Sequence, residues 1–171
     1  MELASLIRDV PDFPIEGILF KDITTLIRDE EAFREVIDWM ADQYADSKVD
    51  RIVAIEARGY IFGAPLAYKL GAGFVPIRKP GKLPAKTISE SYELEYGTNT
   101  LEIHEDGIEP GQRVLVIDDL LATGGSARAA INLVERLGGK IIGVAFLIEL
   151  DFLHGREKLE GCDVLSLIHY A

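Results

Sequence analysis

The run Val114-Leu115-Val116-Ile117-Asp118-Asp119-Leu120-Leu121-Ala122-Thr123-Gly124-Gly125-Ser126 constrains this chain more than any other segment, because it sets two carboxylates and a glycine-rich turn at the end of a buried strand. Four consecutive aliphatic residues read as a strand covered on both faces, as in a parallel sheet between helices. Ala127, Ala130, Ile131 and Val134 follow at the spacing of an amphipathic helix, which Gly138-Gly139 closes. The glycine turn therefore feeds a helix N-terminus, where backbone N–H groups lack intrahelical partners and a phosphate meets no Cβ. Thr123 and Ser126 add hydroxyl donors, and Asp118 and Asp119 are acceptors for the neighbouring hydroxyls of a ribose. One segment thus has the groups to hold both ends of a ribose 5-phosphate. The competing reading makes the aspartates helix caps, but an adjacent carboxylate pair carries a repulsion and desolvation cost that capping does not require. The segment has neither the Gly-Lys-Ser/Thr of a nucleotide P-loop nor the G-x-G-x-x-G of a dinucleotide fold.

Elsewhere the pattern alternates between strands and helices. Phe33, Val36, Ile37, Met40, Ala41 and Tyr44 predict a helix over residues 30–46, with those side chains in the core. Residues 52–55 read as a strand, 60–70 as a helix ended by Gly71, and 74–77 as another strand. From 79 to 97 the chain turns polar and proline-punctuated, then 98–103 alternates like one arm of a hairpin, so this insertion is the candidate for a mobile flap. Strands over 141–150 and 164–168 restore the rhythm. The sum is an α/β, doubly wound domain with a central parallel sheet flanked by helices and an inserted hairpin.

Size and charge narrow the function classes. A chain of 171 residues that is 48% hydrophobic can bury a proper core as a single domain. The longest apolar stretch falls far short of the roughly 20 residues that span a bilayer, and Glu2, Arg8 and Asp9 do not resemble a secretory leader. Cys162 is the sole cysteine, which rules out an intrachain disulfide and points to a reducing, cytoplasmic setting. A formal charge of −11 argues against nucleic acid as partner. Positive charge concentrates once, at Arg78, Lys79, Lys82 and Lys86, which reads either as a small anion site or as a solvated basic loop. Glu56-Ala57-Arg58-Gly59 leaves the strand 52–55 at the edge where ligands collect in open α/β sheets. There Arg58 is either a bidentate phosphate contact or a surface partner of Glu56. His104, His154 and His169 have no metal-ligand spacing, and no metal site is assigned to them.

Val114 to Ser126 resembles the phosphoribosyl pyrophosphate signature of the type I phosphoribosyltransferases, and its wording is similar to that of the members that use adenine. The likeness extends over residues 11 to about 158. It implies the type I phosphoribosyltransferase fold, with a small hood at the termini (about 1–28 at the N-terminal end) and a flap over about 79–103. It implies transfer of the phosphoribosyl group from phosphoribosyl pyrophosphate to adenine, giving AMP and pyrophosphate, by a cytoplasmic homodimer that binds neither nucleic acid nor membrane. By the resemblance, Asp118 and Asp119 hold the ribose hydroxyls while Ala122, Thr123, Gly124, Gly125 and Ser126 cradle the 5-phosphate. Glu56, Ala57, Arg58 and Gly59 form the pyrophosphate loop, with Arg78, Lys79 and Lys82 as further cations. Mg2+ is expected as cofactor, bound mainly through phosphoribosyl pyrophosphate, with no protein ligand directly assigned. Leu94-Glu95-Tyr96-Gly97 is similar to the family segment whose glutamate manages the purine's proton, so Glu95, supported by Tyr96, is the expected acid–base group beside Arg58. Leu19, Phe20 and Lys21 resemble the adenine-binding part of the hood; from the residues alone, Phe20 reads as core. The rivals are a transferase for a 6-oxopurine and a non-catalytic regulator on the same fold, which would need an added basic module for nucleic acid.

Overall fold

The computed structural model describes residues 1–94 and 96–171. Contacts divide the chain into two compact units, Met1–Trp39 and Met40–Ala171.

In the first unit, strands β1 (Arg8–Pro11) and β2 (Leu19–Asp22) pair antiparallel, ahead of a short helix α1 (Thr24–Ile27). Asp22 accepts the Thr24 N–H at 2.9 Å and Arg8 at 2.6 Å, and those two partners, the amide first, hold its carboxyl down at about 2. Helix α2 (Glu30–Gln43) runs across the division and stops short of the expected residue 46. Asp29 accepts the Ala32 N–H at 2.9 Å, and Glu30 and Glu31 in the first turn suit the positive end of the helix. Val36, Ile37, Met40 and Ala41 are buried as their spacing predicts.

The second unit holds five parallel strands in the order β4-β3-β7-β8-β9. They are β3 (Arg51–Ile55), β4 (Gly73–Ile77), β7 (Arg113–Leu121), β8 (Lys140–Leu150) and β9 (Val164–Tyr170). Helix α3 (Arg58–Leu70) joins β3 to β4 and ends at Gly71 in the left-handed conformation, as expected. Helix α4 (Gly125–Arg136) joins β7 to β8 and buries Ala127, Ala130, Ile131 and Val134, the face its sequence predicts. The order reverses between β3 and β7, so a crevice opens beyond their carboxyl ends. Asp118 and Glu56 sit there.

Between β4 and β7 the chain inserts a hairpin, β5 (Thr87–Glu93) with β6 (Thr98–His104). The sequence marks only the second arm. The first is polar, yet it alternates between exposed and half-buried because one face lies against α4. Asn132 donates to Glu90 at 3.0 Å, and Arg136 donates to the Ser89 carbonyl and to Glu90 at 3.1 Å. Glu90→Ala removes the acceptor shared by Asn132 and Arg136, so hydrogen exchange should quicken across β5 while that of β3 and β8 stays unchanged. Equal exchange in β5 would show that the hairpin is held by its backbone pairing alone. Among the described residues no helix is long and apolar enough to cross a membrane.

Candidate active site

Strand β7 is fully buried from Val114 to Ile117 and does not end there. It runs on through both aspartates to Leu121, so the carboxylates belong to the strand and not to a loop beyond it. Neither caps α4, whose first residue follows Gly124 without any side-chain cap. Asp118 is 8% and Asp119 7% exposed. Burial, then the Asp119 charge, push the Asp118 carboxyl well above the usual carboxylate range. Asp118 Oδ1 accepts the Asp119 N–H at 2.8 Å, and Asp119 Oδ2 accepts Arg58 Nε at 2.6 Å. This pair, absent from both readings of Arg58 in the sequence, ties the start of α3 to the end of β7. The close approach depends on Gly59, where a Cβ would lie 3.1 Å from Asp118 Oδ1.

Gly124 takes φ +90°, a conformation suited to glycine, and turns the chain so that α4 starts at Gly125. A cavity of about 250 Å³ beside this turn is lined by Arg58, Tyr92, Leu94 and residues 118–127. Asp118, Asp119, Ala122, Thr123, Gly124, Gly125 and Ser126 are thereby brought together with Arg58, as their proposed roles require. Tyr92 and Leu94 are additions. A Cβ on Gly125 would stand 2.8 Å from Tyr92 Cδ2, so the ring lies directly on the turn. The only signal for Tyr92 in the sequence is its place in the alternation of β5, which polar neighbours obscure.

The basic turn forms a second group. Glu56 and Ala57, joined by a cis peptide, follow β3. Glu56 accepts the Lys79 N–H at 2.6 Å and Arg78 Nη2 at 3.4 Å. Burial works to raise its carboxyl, but those partners outweigh it and hold the group below its ordinary value. Glu102 takes the Gly81 N–H at 3.0 Å and pairs through its backbone with Arg78. The two glutamates therefore shape the turn that carries Arg78, Lys79 and Lys82. Arg78 Nε is buried with no hydrogen-bond partner among the described residues, a donor available to an anion. Lys79 and Lys82 are exposed, whereas Lys86 reaches Glu105 at 3.7 Å.

Three expectations concern other residues. Glu95 lies outside the described residues, and Tyr96 is 87% exposed. Leu19, Phe20 and Lys21 form most of β2 in the first unit. Phe20 is half-buried, not core, with the Phe13 ring edge-on at 5.1 Å, and Lys21 Nζ meets Asp9 at 2.7 Å. A larger cavity of about 520 Å³ lies by residues 139–141 and 160–162. Arg128 and Lys140 there face Glu135 and Glu160, so the net attraction for an anion is small.

Residues 23–168 match the model of the phosphoribosyl transferase domain. An adenine phosphoribosyltransferase of Acidobacterium capsulatum is 59% identical over 99% of this chain and 93% of its own. The crystal structure of the adenine phosphoribosyltransferase from Thermoanaerobacter pseudethanolicus superposes with a TM-score of 0.96 at 57% identity, covering 99% of this chain and 98% of that one. The Saccharomyces cerevisiae enzyme, solved with adenine and an imino-altritol bisphosphate, gives 0.91 at 44% identity over 97% and 96% of the two chains. With the domain matched over residues 23–168 and adenine phosphoribosyltransferases similar to it over 99% of its length, this chain belongs to the phosphoribosyl transferase domain family and, within it, to the adenine phosphoribosyltransferases.

Proposed function

We propose that this chain transfers the 5-phosphoribosyl group from phosphoribosyl pyrophosphate to adenine, releasing AMP and pyrophosphate in purine salvage. The observation that carries the reading is the Asp118–Asp119 pair running directly into the glycine turn at the start of α4, all lining one cavity with Arg58. In this reading the N–H groups of residues 122–126 and the Thr123 and Ser126 hydroxyls hold the 5-phosphate, and the aspartates hold the ribose hydroxyls. An imidazole nitrogen of adenine attacks the anomeric carbon, the bond to pyrophosphate breaks, and the base gives its proton to Glu95, with Tyr96 in support. Charge grows on the leaving pyrophosphate, so cations fixed beforehand lower the barrier. Arg58, Arg78, Lys79 and Lys82 are those cations, and Ala57 and Gly59 keep the loop narrow beside them. Glu56 serves by holding Arg78 and Lys79, since its own charge would repel the leaving group. Leu19, Phe20 and Lys21 are assigned to adenine by their motif.

Mg2+ bound to phosphoribosyl pyrophosphate would offset part of the pyrophosphate charge. The carboxylates are the hard oxygen donors it accepts. With Asp119 engaged by Arg58 and Glu56 by Arg78 and Lys79, the residues suit an ion held mainly by substrate and water. A cytoplasmic homodimer completes the reading, and sedimentation equilibrium tests the dimer.

Pyrophosphate release measured with a panel of purine and pyrimidine bases tests the activity. Adenine should be preferred over hypoxanthine and guanine by about tenfold to a hundredfold, because exchanging an amine for a carbonyl leaves buried polar groups unpaired at about 1–3 kcal/mol each. Phe20→Ala should impair use of the base more than that of phosphoribosyl pyrophosphate. Comparable efficiency with hypoxanthine overturns the choice of base, and no release with any base overturns the transfer itself.

A further inference from the structure

Glu149, near the carboxyl end of β8, is a carboxylate only 4% exposed and outside the site described above. Arg156 Nε lies 3.0 and 2.8 Å from its two oxygens, and Ser166 Oγ on β9 donates at 2.7 Å. Burial alone would raise this carboxyl, yet Arg156 and Ser166 hold it below the ordinary range. Asp151 and His169 pair beside it at 2.8 Å. A cation placed among Glu149, Asp151 and His169 would have to displace Arg156, so this group reads as an anchor instead.

Arg156 belongs to the 3-10 turn Gly155–Leu159, whose other end is fixed by Leu159, buried in the same core cluster as Leu121 and Ala127. At its first residue, next to Arg156, the turn touches the candidate phosphate loop backbone to backbone. A Cβ on Gly155 would stand 2.5 Å from the Ala122 carbonyl oxygen, and one on Gly124 would stand 2.5 Å from the Gly155 carbonyl oxygen. Neither position has room for a side chain. We propose that Glu149 is a positioning residue which, through Arg156, presses residues 155–159 against residues 122–124 and so fixes the loop that takes the 5-phosphate of a ribose phosphate. The inference rests on the function proposed above. Its physical ground is that N–H groups on a turn bind an anion well only if they are aimed before it arrives, and a loop needs outside support to stay aimed.

Glu149→Gln and Arg156→Lys test it, each preserving most of the side-chain volume while weakening the hydrogen-bonded ion pair. In the ligand-free protein, amide exchange over residues 122–126 should rise by about tenfold, with the rest of β7 unchanged. By calorimetry, Kd for AMP and for ribose 5-phosphate should rise by about five- to twentyfold while Kd for inorganic pyrophosphate stays within about twofold. A purely structural role would weaken all three ligands together. Unchanged exchange at residues 122–126 overturns the clamp whatever the ligands do, and faster exchange with AMP binding intact, or with pyrophosphate lost equally, overturns its link to the phosphate. Wild-type protein that binds neither AMP nor ribose 5-phosphate would instead sink the proposed function, with exchange still deciding the clamp.

Discussion

Replacing Asp118 and Asp119 together by asparagine is expected to lower kcat/KM by about 10- to 100-fold, since hydrogen bonds to charged groups contribute roughly 1.5–3 kcal/mol each against about 0.5–1.5 for neutral ones. Asparagine keeps the shape, so the loss would report charge and not a cavity. Asp118→Asn by itself should stabilise the fold. Burial and the neighbouring Asp119 raise the folded carboxyl of Asp118 above the value of 3.8 it has when unperturbed. A raised acid binds its proton more tightly in the folded state, so its presence costs increasing stability as pH climbs from the unfolded value towards the raised one. Asp118→Asn removes that cost, and its gain in Tm should be larger at about pH 8 than at about pH 4. Thermal unfolding at the two pH values, with steady-state kinetics on the double variant, measures both. Undiminished turnover would remove the pair from the ribose site, and a gain in Tm that does not grow with pH would mean that neither burial nor Asp119 raises the Asp118 carboxyl in the folded protein.

Arg58→Ala should cost about 10²–10³-fold in kcat/KM, because one side chain serves two partners. It is proposed to meet the pyrophosphate, and it holds Asp119 Oδ2 at 2.6 Å. Half of the side chain is exposed, at 51%, so solvent screening limits what the ion pair alone contributes. Phosphoribosyl pyrophosphate should therefore weaken most, and AMP, which lacks pyrophosphate, should weaken to a smaller degree through the freed Asp119. Arg58→Lys should restore only part, as a point charge cannot serve both partners at the angles of the fork. Titration with each ligand separates the contributions. Equal loss for both ligands would confine Arg58 to positioning Asp119, and no loss for either would end its role.

Much of the fold was legible because its signals are local. The aliphatic run of β7, the apolar face of α4 and the glycines that stop α3 and α4 each follow from periodicity within one segment, and each falls where it was expected. Strand β5 was not, since Thr, Ser and Glu carry no strand signal until α4 is there to cover one face. Strand β2 likewise carries no strand signal of its own, being four residues that depend on β1 for their pairing.

For the site, the sequence by itself determined the chemistry: adjacent carboxylates, a glycine turn with hydroxyls, an arginine after β3 and one cluster of cations. Residue type and short spacing are enough for that, because phosphate and ribose recognition use backbone N–H groups and side chains a few positions apart. Tertiary structure decided who touches whom. Arg58 and Asp119 are 61 residues apart, Glu56 and Lys79 23, and the contact of Gly155 with the turn around Gly124 again joins distant segments. Such pairings are set by strand order and by how closely two backbones can pack, properties of the assembled sheet that no window of sequence contains.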